Sequence, residues 1–262
     1  MKSTYKNILG ALPLLSLGMV GLAGTPATAQ SPINTGPATD YVDYQEEFAQ
    51  RVYEAILANP QIVFEAIDIA REQEAAEKAA ERKDLIQKLS PMLVEDPNAI
   101  VLGNPDGDVT VVEFYDYNCP YCKKASPEVK ALIAADANVR VVMREFPVLG
   151  PTSDEAARVA LASHAQGRFE DVHHALMEHK ERLKEGDALR IAEDLGLNMG
   201  LLEQDMEVED IDRHIDISKE IARILGINGT PSFVIGTEIV PGLADVDRLQ
   251  ELVDAVRDDN KE

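Results

Sequence analysis

The sequence predicts an α/β fold: a β-α-β unit, then a helical block, then a closing β-β-α unit, all carried behind a helical N-terminal arm. Three observations predict it. Val109–Tyr115 and Val139–Met143 are short runs of β-branched and aromatic residues without polar alternation, the pattern of strands covered on both faces. The segment between them, 122–135, reads as a helix, and such a crossover joins parallel neighbours with right-handed sense. From Ser153 to Ile224 the periodicity is helical, near 153–166, 169–183, 187–195, 199–206 and 208–225, with breaks that include Gly167, Gly186 and Gly196. Ser232–Ile235 and Glu238–Val240 then read as a hairpin about Gly236-Thr237, and Asp245 caps a closing helix that reaches Arg257.

The N-terminal part precedes this pattern. Lys2 and Lys6, an apolar run from Ile8 to Leu22, and Ala27-Thr28-Ala29 have the layout of a secretory signal peptide cleaved after Ala29. The run is short for a membrane span, which needs about 20 apolar residues; a retained anchor is the competing reading. Gln30–Thr39 reads as a loose leader. Asp40 is placed to cap a helix over Tyr41–Leu57 with the stripe Tyr41, Tyr44, Phe48, Val52 and Ile56. Asn59-Pro60 breaks it. A second helix starts at Pro60, with the stripe Ile62, Val63, Ala66, Ile67 and Ala70, and continues to Lys88. From Arg71 it nearly lacks large apolar residues until Leu85, which suits an exposed stalk or an oligomer-forming arm; a solvated surface helix is the alternative. Ser90-Pro91, Asp96-Pro97 and Asn104-Pro105-Asp106-Gly107 punctuate the stretch between this helix and the first strand. The expected organisation is a signal peptide at 1–29, a helical extension at 30–90 and a domain at 91–262 whose helical insertion spans about 151–226.

Charge and composition narrow the chemistry. Of 262 residues, 47 are acidic and 25 are Lys or Arg, a formal net charge of −22. Nucleic-acid binding needs basic residues that displace phosphate counterions. The densest basic stretch, Glu77–Lys88, interleaves Lys78, Arg82, Lys83 and Lys88 with acids, so nucleic acid is not an expected partner. The acidity reads as solubility. Two cysteines exclude a disulfide framework. There is no glycine-rich phosphate loop at a strand–helix junction and no Gly-x-Ser-x-Gly elbow, so nucleotide and hydrolase chemistry lack support. His173, His174 and His179 do not share a helix face well. No metal and no cofactor are expected.

Both cysteines lie in Cys119-Pro120-Tyr121-Cys122, between a strand and a helix. Three residues apart at a helix start, the sulfurs are within bonding reach. The first sits where free N–H groups and the helix dipole favour negative charge. Cys-x-x-Cys motifs lower a thiol from about 8.5 to roughly 3.5–7.5. Cys119 is therefore the nucleophile and Cys122 the resolving thiol. A structural disulfide across four residues would constrain the unfolded chain by only about 2 kcal/mol. A zinc site lacks its roughly four ligands nearby, and a two-thiolate copper(I) site is a further alternative. Glu113, upstream on the strand, turns either inward beneath the cysteines, where burial would raise its pKa and let it shuttle the Cys122 proton, or out to solvent. Gly229-Thr230-Pro231 carries either a proline tolerated at the first residue of a strand or a cis Thr230–Pro231 bond across from the cysteines. In the latter case the backbone of Thr230 is free to pair with an extended substrate chain.

Together, Val111-Val112-Glu113-Phe114-Tyr115 before the Cys-Pro-Tyr-Cys motif, Arg144-Glu145-Phe146-Pro147-Val148-Leu149-Gly150, and Gly229-Thr230-Pro231-Ser232-Phe233 resemble the DsbA-like branch of the thioredoxin superfamily. The resemblance covers about residues 100–257. It implies a thioredoxin fold with an inserted helical domain, Cys119 attacking, Cys122 resolving, Glu113 as the buried acid, and Thr230, Pro231, Pro120 and Tyr121 facing substrate. Ala58-Asn59-Pro60-Gln61-Ile62-Val63 with Glu65-Ala66 is similar to the extension of ScsC-type proteins, which implies a homo-oligomer through the N-terminal helices. Tyr121 stands where strongly oxidising DsbA proteins carry His, so a couple near or below about −180 mV rather than −120 mV is expected. The implied function is a periplasmic thiol-disulfide oxidoreductase or isomerase acting on cysteine-containing exported proteins, with a membrane redox partner. The alternative is a non-catalytic chaperone or copper(I)-binding protein using the same cleft.

Overall fold

The computed structural model describes residues 38–94, 100–259 and 261. The expected signal peptide, its cleavage site at Ala29, most of the leader and Asp96-Pro97 lie outside the described residues. Two compact units divide at Glu65 and Ala66.

The first unit contains α1 (Ala38–Ala58) and the start of α2 (Gln61–Leu93). Helix α1 begins earlier than the sequence predicts, so Asp40 lies within it rather than ahead of it. Of its predicted stripe, Tyr44, Phe48, Val52 and Ile56 are all exposed.

In the second unit α2 passes through Ser90-Pro91 to Leu93, beyond the end expected at Lys88. A proline inside a helix costs about 3 kcal/mol. Burial of Ile86, Leu89 and Leu93 against Val112, Phe114, Val142 and Phe146 outweighs it, at about 1.5–3 kcal/mol for each side chain. The helix's final carbonyls are also satisfied. Arg144 donates to the Met92 and Leu93 carbonyls, and Arg140 Nη1 donates to the Val94 carbonyl at 2.7 Å. Local punctuation at Ser90-Pro91 is overridden by tertiary contacts.

The rest of the unit comprises β1 (Ile100–Gly103), β2 (Val109–Tyr115), α3 (Pro120–Ala135), β3 (Val139–Glu145), α4 (Pro151–Ser163), α5 (Phe169–Glu178), α6 (Asp187–Asp194), α7 (Met199–Met206), α8 (Glu209–Leu225), β4 (Ser232–Ile235), β5 (Glu238–Pro241) and α9 (Val246–Asp259). The strand order is β1-β3-β2-β4-β5. Strands β2 and β3 pair in parallel, with Val111 opposite Val141, and α3 crosses between them. Strand β4 runs antiparallel to β2 and forms the closing hairpin with β5. This is a thioredoxin fold with α4–α8 inserted between β3 and β4. Edge strand β1 is not evident from sequence, since four residues are too few to display a period of two.

Both sheet faces are covered, which is why the strands show no polar alternation. Val111, Tyr115, Val141 and Met143 belong to one core with Leu132 of α3 and Leu249 of α9. Val112, Phe114 and Val142 belong to the other, with the end of α2 and Ile221 of α8. Helix α5 stops at Glu178, short of the expected 183. The backbone beyond it serves other partners: Lys123 Nζ donates to the carbonyls of His179 at 2.6 Å and Glu181 at 2.9 Å, and Leu183 N donates to Asn118 Oδ1 at 2.8 Å.

Arg257 of α9 fastens the base of the sheet to α3. Its Nη1 donates to Asp136 Oδ2 at 2.6 Å and its Nη2 to Asp108 Oδ1 at 2.8 Å. The Arg257 hydrogen bond holds the Asp136 carboxyl at about 2, below its ordinary value of 3.8. A depressed acid stabilises the fold above its unfolded pKa and loses that contribution as pH falls through the folded one. Arg257→Ala is therefore expected to lower stability at pH 7 by about 1 kcal/mol through loss of the Asp136 pair. The gap to the parent protein should close between pH 4 and pH 2, measured by urea denaturation.

Candidate active site

Strand β2 delivers the chain to a junction, Asp116–Cys119, built by two side chains that sequence reasoning misses. Asp116 is almost wholly buried. Its Oδ1 accepts from Asn118 N at 2.7 Å, and its Oδ2 accepts from Val148 N at 2.9 Å and Leu149 N at 3.0 Å. Its backbone oxygen accepts from Cys119 N at 3.0 Å. Asn118 Nδ2 donates to Thr152 Oγ1 and Ser153 Oγ, each at 3.0 Å. The spacing Asp-x-Asn is a turn signal in its own right; the partners at 148–153 and 183 leave no trace in it.

Cys119 takes the N-cap position of α3 with extended backbone (φ −80°, ψ 118°), and Pro120 opens the helix, where its missing N–H is no loss. Neither cysteine is in a disulfide. The Cys119 thiol is lowered to about 5. Its largest cause is the hydrogen bond from the Cys122 thiol; burial opposes, and Thr230 and the backbone of Cys122 and Tyr121 add to the lowering. Cys122 is fully buried, and burial, the bond to Cys119 and the Glu113 charge push its thiol far above the usual range. One sulfur is held as an anion and its partner as a thiol.

The Thr230–Pro231 peptide is cis. It lies against the first cysteine: in the protonated form Cys119 Sγ donates to the Thr230 carbonyl at 3.1 Å. Gly242 N donates to the Pro231 carbonyl at 2.8 Å, so the start of the β5–α9 connection joins this edge. A groove of about 440 Å³ runs beside it, lined by Gly229, Thr230, Pro231, Ile239 and Pro241 among others. Pro120 and Tyr121 are exposed next to Cys119, and Lys124 Nζ stands 5.5 Å from the Tyr121 ring centroid.

Glu113 turns inward. It is 2% exposed, on the face of β2 that meets α3, and burial raises its carboxyl to about 8. It lines a cavity of about 350 Å³ with Ser126, Lys130, Glu170, His173 and His174. A further buried acid stands nearby. Glu145 Oε1 accepts from the hydroxyls of Tyr115 at 2.5 Å and Tyr117 at 3.0 Å, and Tyr117 also bonds His173 Nδ1 at 3.0 Å. Burial lowers His173 to about 3, so this ring is neutral and structural. Among the described residues no group of three or more His, Cys, Asp or Glu could hold a metal ion, and no helix is long and apolar enough to cross a membrane.

Residues 110–254 match the DSBA-like thioredoxin domain family. The thioredoxin-like oxidoreductase from Silicibacter pomeroyi DSS-3 is 52% identical, with a TM-score of 0.63 over 64% of this chain and 97% of that one. A linker-deletion variant of Proteus mirabilis ScsC is 26% identical, with a TM-score of 0.62 over 84% of this chain and 96% of that one. Among curated sequences, Na(+)/H(+) antiporter NhaA 3 of Salinispora tropica is 34% identical over 137 residues, 52% of this chain. The match spans only 21% of that antiporter, so the likeness is to one part of a longer protein. The family match covers more than half of the chain, and the cysteine pair sits at the head of α3 beside the cis-proline loop: the chain belongs to the DSBA-like thioredoxin domain family.

Proposed function

We propose that the protein is an exported thiol-disulfide oxidoreductase that exchanges disulfides with cysteine-containing exported polypeptides. The carrying observation is the asymmetry of the two sulfurs: Cys119 lowered to about 5, Cys122 pushed far up. With the pair oxidised, a substrate thiolate attacks Cys119, a mixed disulfide forms, and Cys122 leaves as a thiolate. Glu113, mostly protonated at pH 7 with its carboxyl near 8, is the acid available to neutralise it. A second substrate thiolate then attacks the substrate sulfur of the mixed disulfide, and Cys119 departs as the stable anion. The substrate has lost two electrons and the pair has gained them; the reverse order reduces or isomerises. Thr230 and Pro231 bind the substrate backbone beside Cys119, with Pro120 and Tyr121 at its edge.

A stabilised thiolate favours the reduced form, so the thiol pKa bears on the potential. A value near 5 falls between the ~7 and ~3.5 of couples at about −270 and −120 mV, so a potential between those two is expected. That leaves the direction of flux to the redox partner, a membrane protein in this reading. The signal peptide at 1–29 directs export, and the 91–262 domain carries the chemistry. The extension at 30–90 assembles copies of the chain through its exposed apolar stripe. Phe48→Glu with Ile56→Glu is expected to lower the particle mass to that of a monomer by light scattering; an unchanged mass would remove the arm from assembly.

Alkylation by iodoacetamide across pH tests the central claim. The midpoint for Cys119 is expected near 5 rather than the ~8.5 of a free thiol, together with thiol-dependent reduction of insulin. An ordinary midpoint, or no exchange with insulin, sinks the proposal.

A further inference from the structure

We propose that Arg82 of α2 is a specificity-determining residue: it gives the groove that runs along β5 a positive end and selects exported polypeptides with an acidic side chain about three or four residues from the reacting cysteine. The inference rests on the oxidoreductase reading and narrows its substrate class. Arg82 belongs to the face of α2 that turns to the sheet, one turn before Ile86 and in line with Leu89 and Leu93. Its side chain is accordingly only 35% exposed, whereas Lys78 and Lys88 of the same helix point to water at 65% and 70%. This stretch of helix reads from sequence as a solvated stalk. Arg82 instead lines the groove of about 440 Å³ with Asn228, Thr230, Ile239 and Pro241. Among the described residues that line it, Arg82 alone carries a charge.

The guanidinium has capacity to spare. Its one ion pair among the described residues is with Glu238 Oε2 at 3.5 Å, and the Glu238 side chain is 55% exposed. An exposed pair at that distance is weak, and it leaves most of the five N–H donors of a guanidinium unused. The helix end beside the groove makes no claim on them. Gly226 N donates to the Arg223 carbonyl at 3.3 Å and Ile227 N to the Ala222 carbonyl at 2.8 Å, so α8 closes on its own backbone. What the planar fork fits is a second carboxylate. The spacing follows from the strand. Pro241 pairs with Ser232 beside the cis peptide, and Glu238 lies three residues along β5, about 10 Å at about 3.3 Å per residue. An extended chain whose cysteine reaches Cys119 covers that span in about three or four residues. The molecule as a whole, at a net charge of −22, repels an acidic ligand. A preference for one must come from a cation at the site.

The experiment uses the full-length protein and disulfide peptides that differ only in Glu, Gln or Lys at a position about four residues from the cysteine, in one set on its amino side and in another on its carboxyl side. Each kcat/KM is divided by the rate of the same peptide with dithiothreitol, which removes the effect of the added charge on the peptide's own sulfur. In one of the two sets the parent protein is expected to prefer Glu over Gln about threefold and over Lys about tenfold, through KM, and to lose the preference as salt is raised toward 1 M. Arg82→Gln should bring the Glu and Gln peptides to equal use, and Arg82→Glu should invert the order in favour of Lys. Glu238→Gln removes the competing carboxylate and should enlarge the preference for Glu. A misfolded fraction lowers the rate for all three peptides alike and leaves their ratios intact, so the ratios report the side chain. Equal use of the Glu and Gln peptides by the parent in both sets, or a full Glu preference kept by Arg82→Gln, overturns the proposal. Failure of the parent to exchange with any of the peptides overturns the oxidoreductase reading itself.

Discussion

Cys119→Ser is expected to abolish disulfide exchange, lowering insulin reduction by on the order of 10³-fold or more, to background. Cys122→Ser should behave differently: Cys119 still reacts, but nothing expels the substrate, and a mixed disulfide accumulates as a reductant-sensitive band on non-reducing gels. Magnitudes show what the lowered thiol contributes. At pH 7 a thiol of pKa about 5 is about 99% ionised, whereas one near 8.5 is only a few per cent thiolate, a gain of roughly 30-fold. Intrinsic nucleophilicity falls with basicity at a Brønsted slope of about 0.4–0.5, which over about 3.5 units returns a loss of similar size. Attack at neutral pH is therefore little faster than that of an ordinary thiol. The gain lies in departure: a stable Cys119 anion leaves quickly from a mixed disulfide, which favours handing a disulfide to substrate. Because the Cys122 hydrogen bond is the largest cause of the lowering, Cys122→Ala should move the alkylation midpoint of Cys119 up by about one unit or more. A midpoint left near 5 would assign the stabilisation to Thr230 and the helix backbone.

The parts of this molecule that can be read from sequence are those fixed by local chemistry. The runs 109–115 and 139–143 announce strands because burial on both faces demands uninterrupted apolar residues. Cys119-Pro120-Tyr121-Cys122 announces a helix start because proline and a thiolate both suit that position. Helix ends are less legible where distant residues set them. Leu93 extends α2 past Pro91 because Phe114 and Phe146 cover it; α5 stops at Glu178, and the segment after it bonds Asn118 and Lys123. The same holds within the site. For Glu113, strand parity narrows the choice to two faces without deciding it, and burial in the fold turns it inward. Asp116 and Glu145 cannot be placed, since a polar residue is buried only when its partners exist, and those partners are the amides of Val148 and Leu149 and the hydroxyls of Tyr115 and Tyr117.

Glu113→Gln is expected to give the largest change in stability, with a size set by pH. Burial raises the Glu113 carboxyl from 4.5 to about 8 in the fold. Between those values the folded chain binds a proton that the unfolded chain releases, so stability falls as pH rises through this window. Once pH exceeds 8 the full loss is reached, at most roughly 5 kcal/mol by linkage. Glutamine carries no titration, so the variant should match the parent near pH 4.5 and exceed it by several kcal/mol at pH 9 in urea denaturation. Catalysis should move the other way. Without an acid beside Cys122, the step that expels this thiolate slows by about 10²-fold at pH 7, the usual scale of general acid catalysis. The parent's rate for that step should decline above pH 8 as Glu113 ionises, while the variant's stays low and flat. Stopped-flow single turnovers separate this step from attack on Cys119. Parallel pH dependence of stability in the two proteins would show that another group titrates. An undiminished rate in the variant would show that the Cys122 proton travels by a route that bypasses β2.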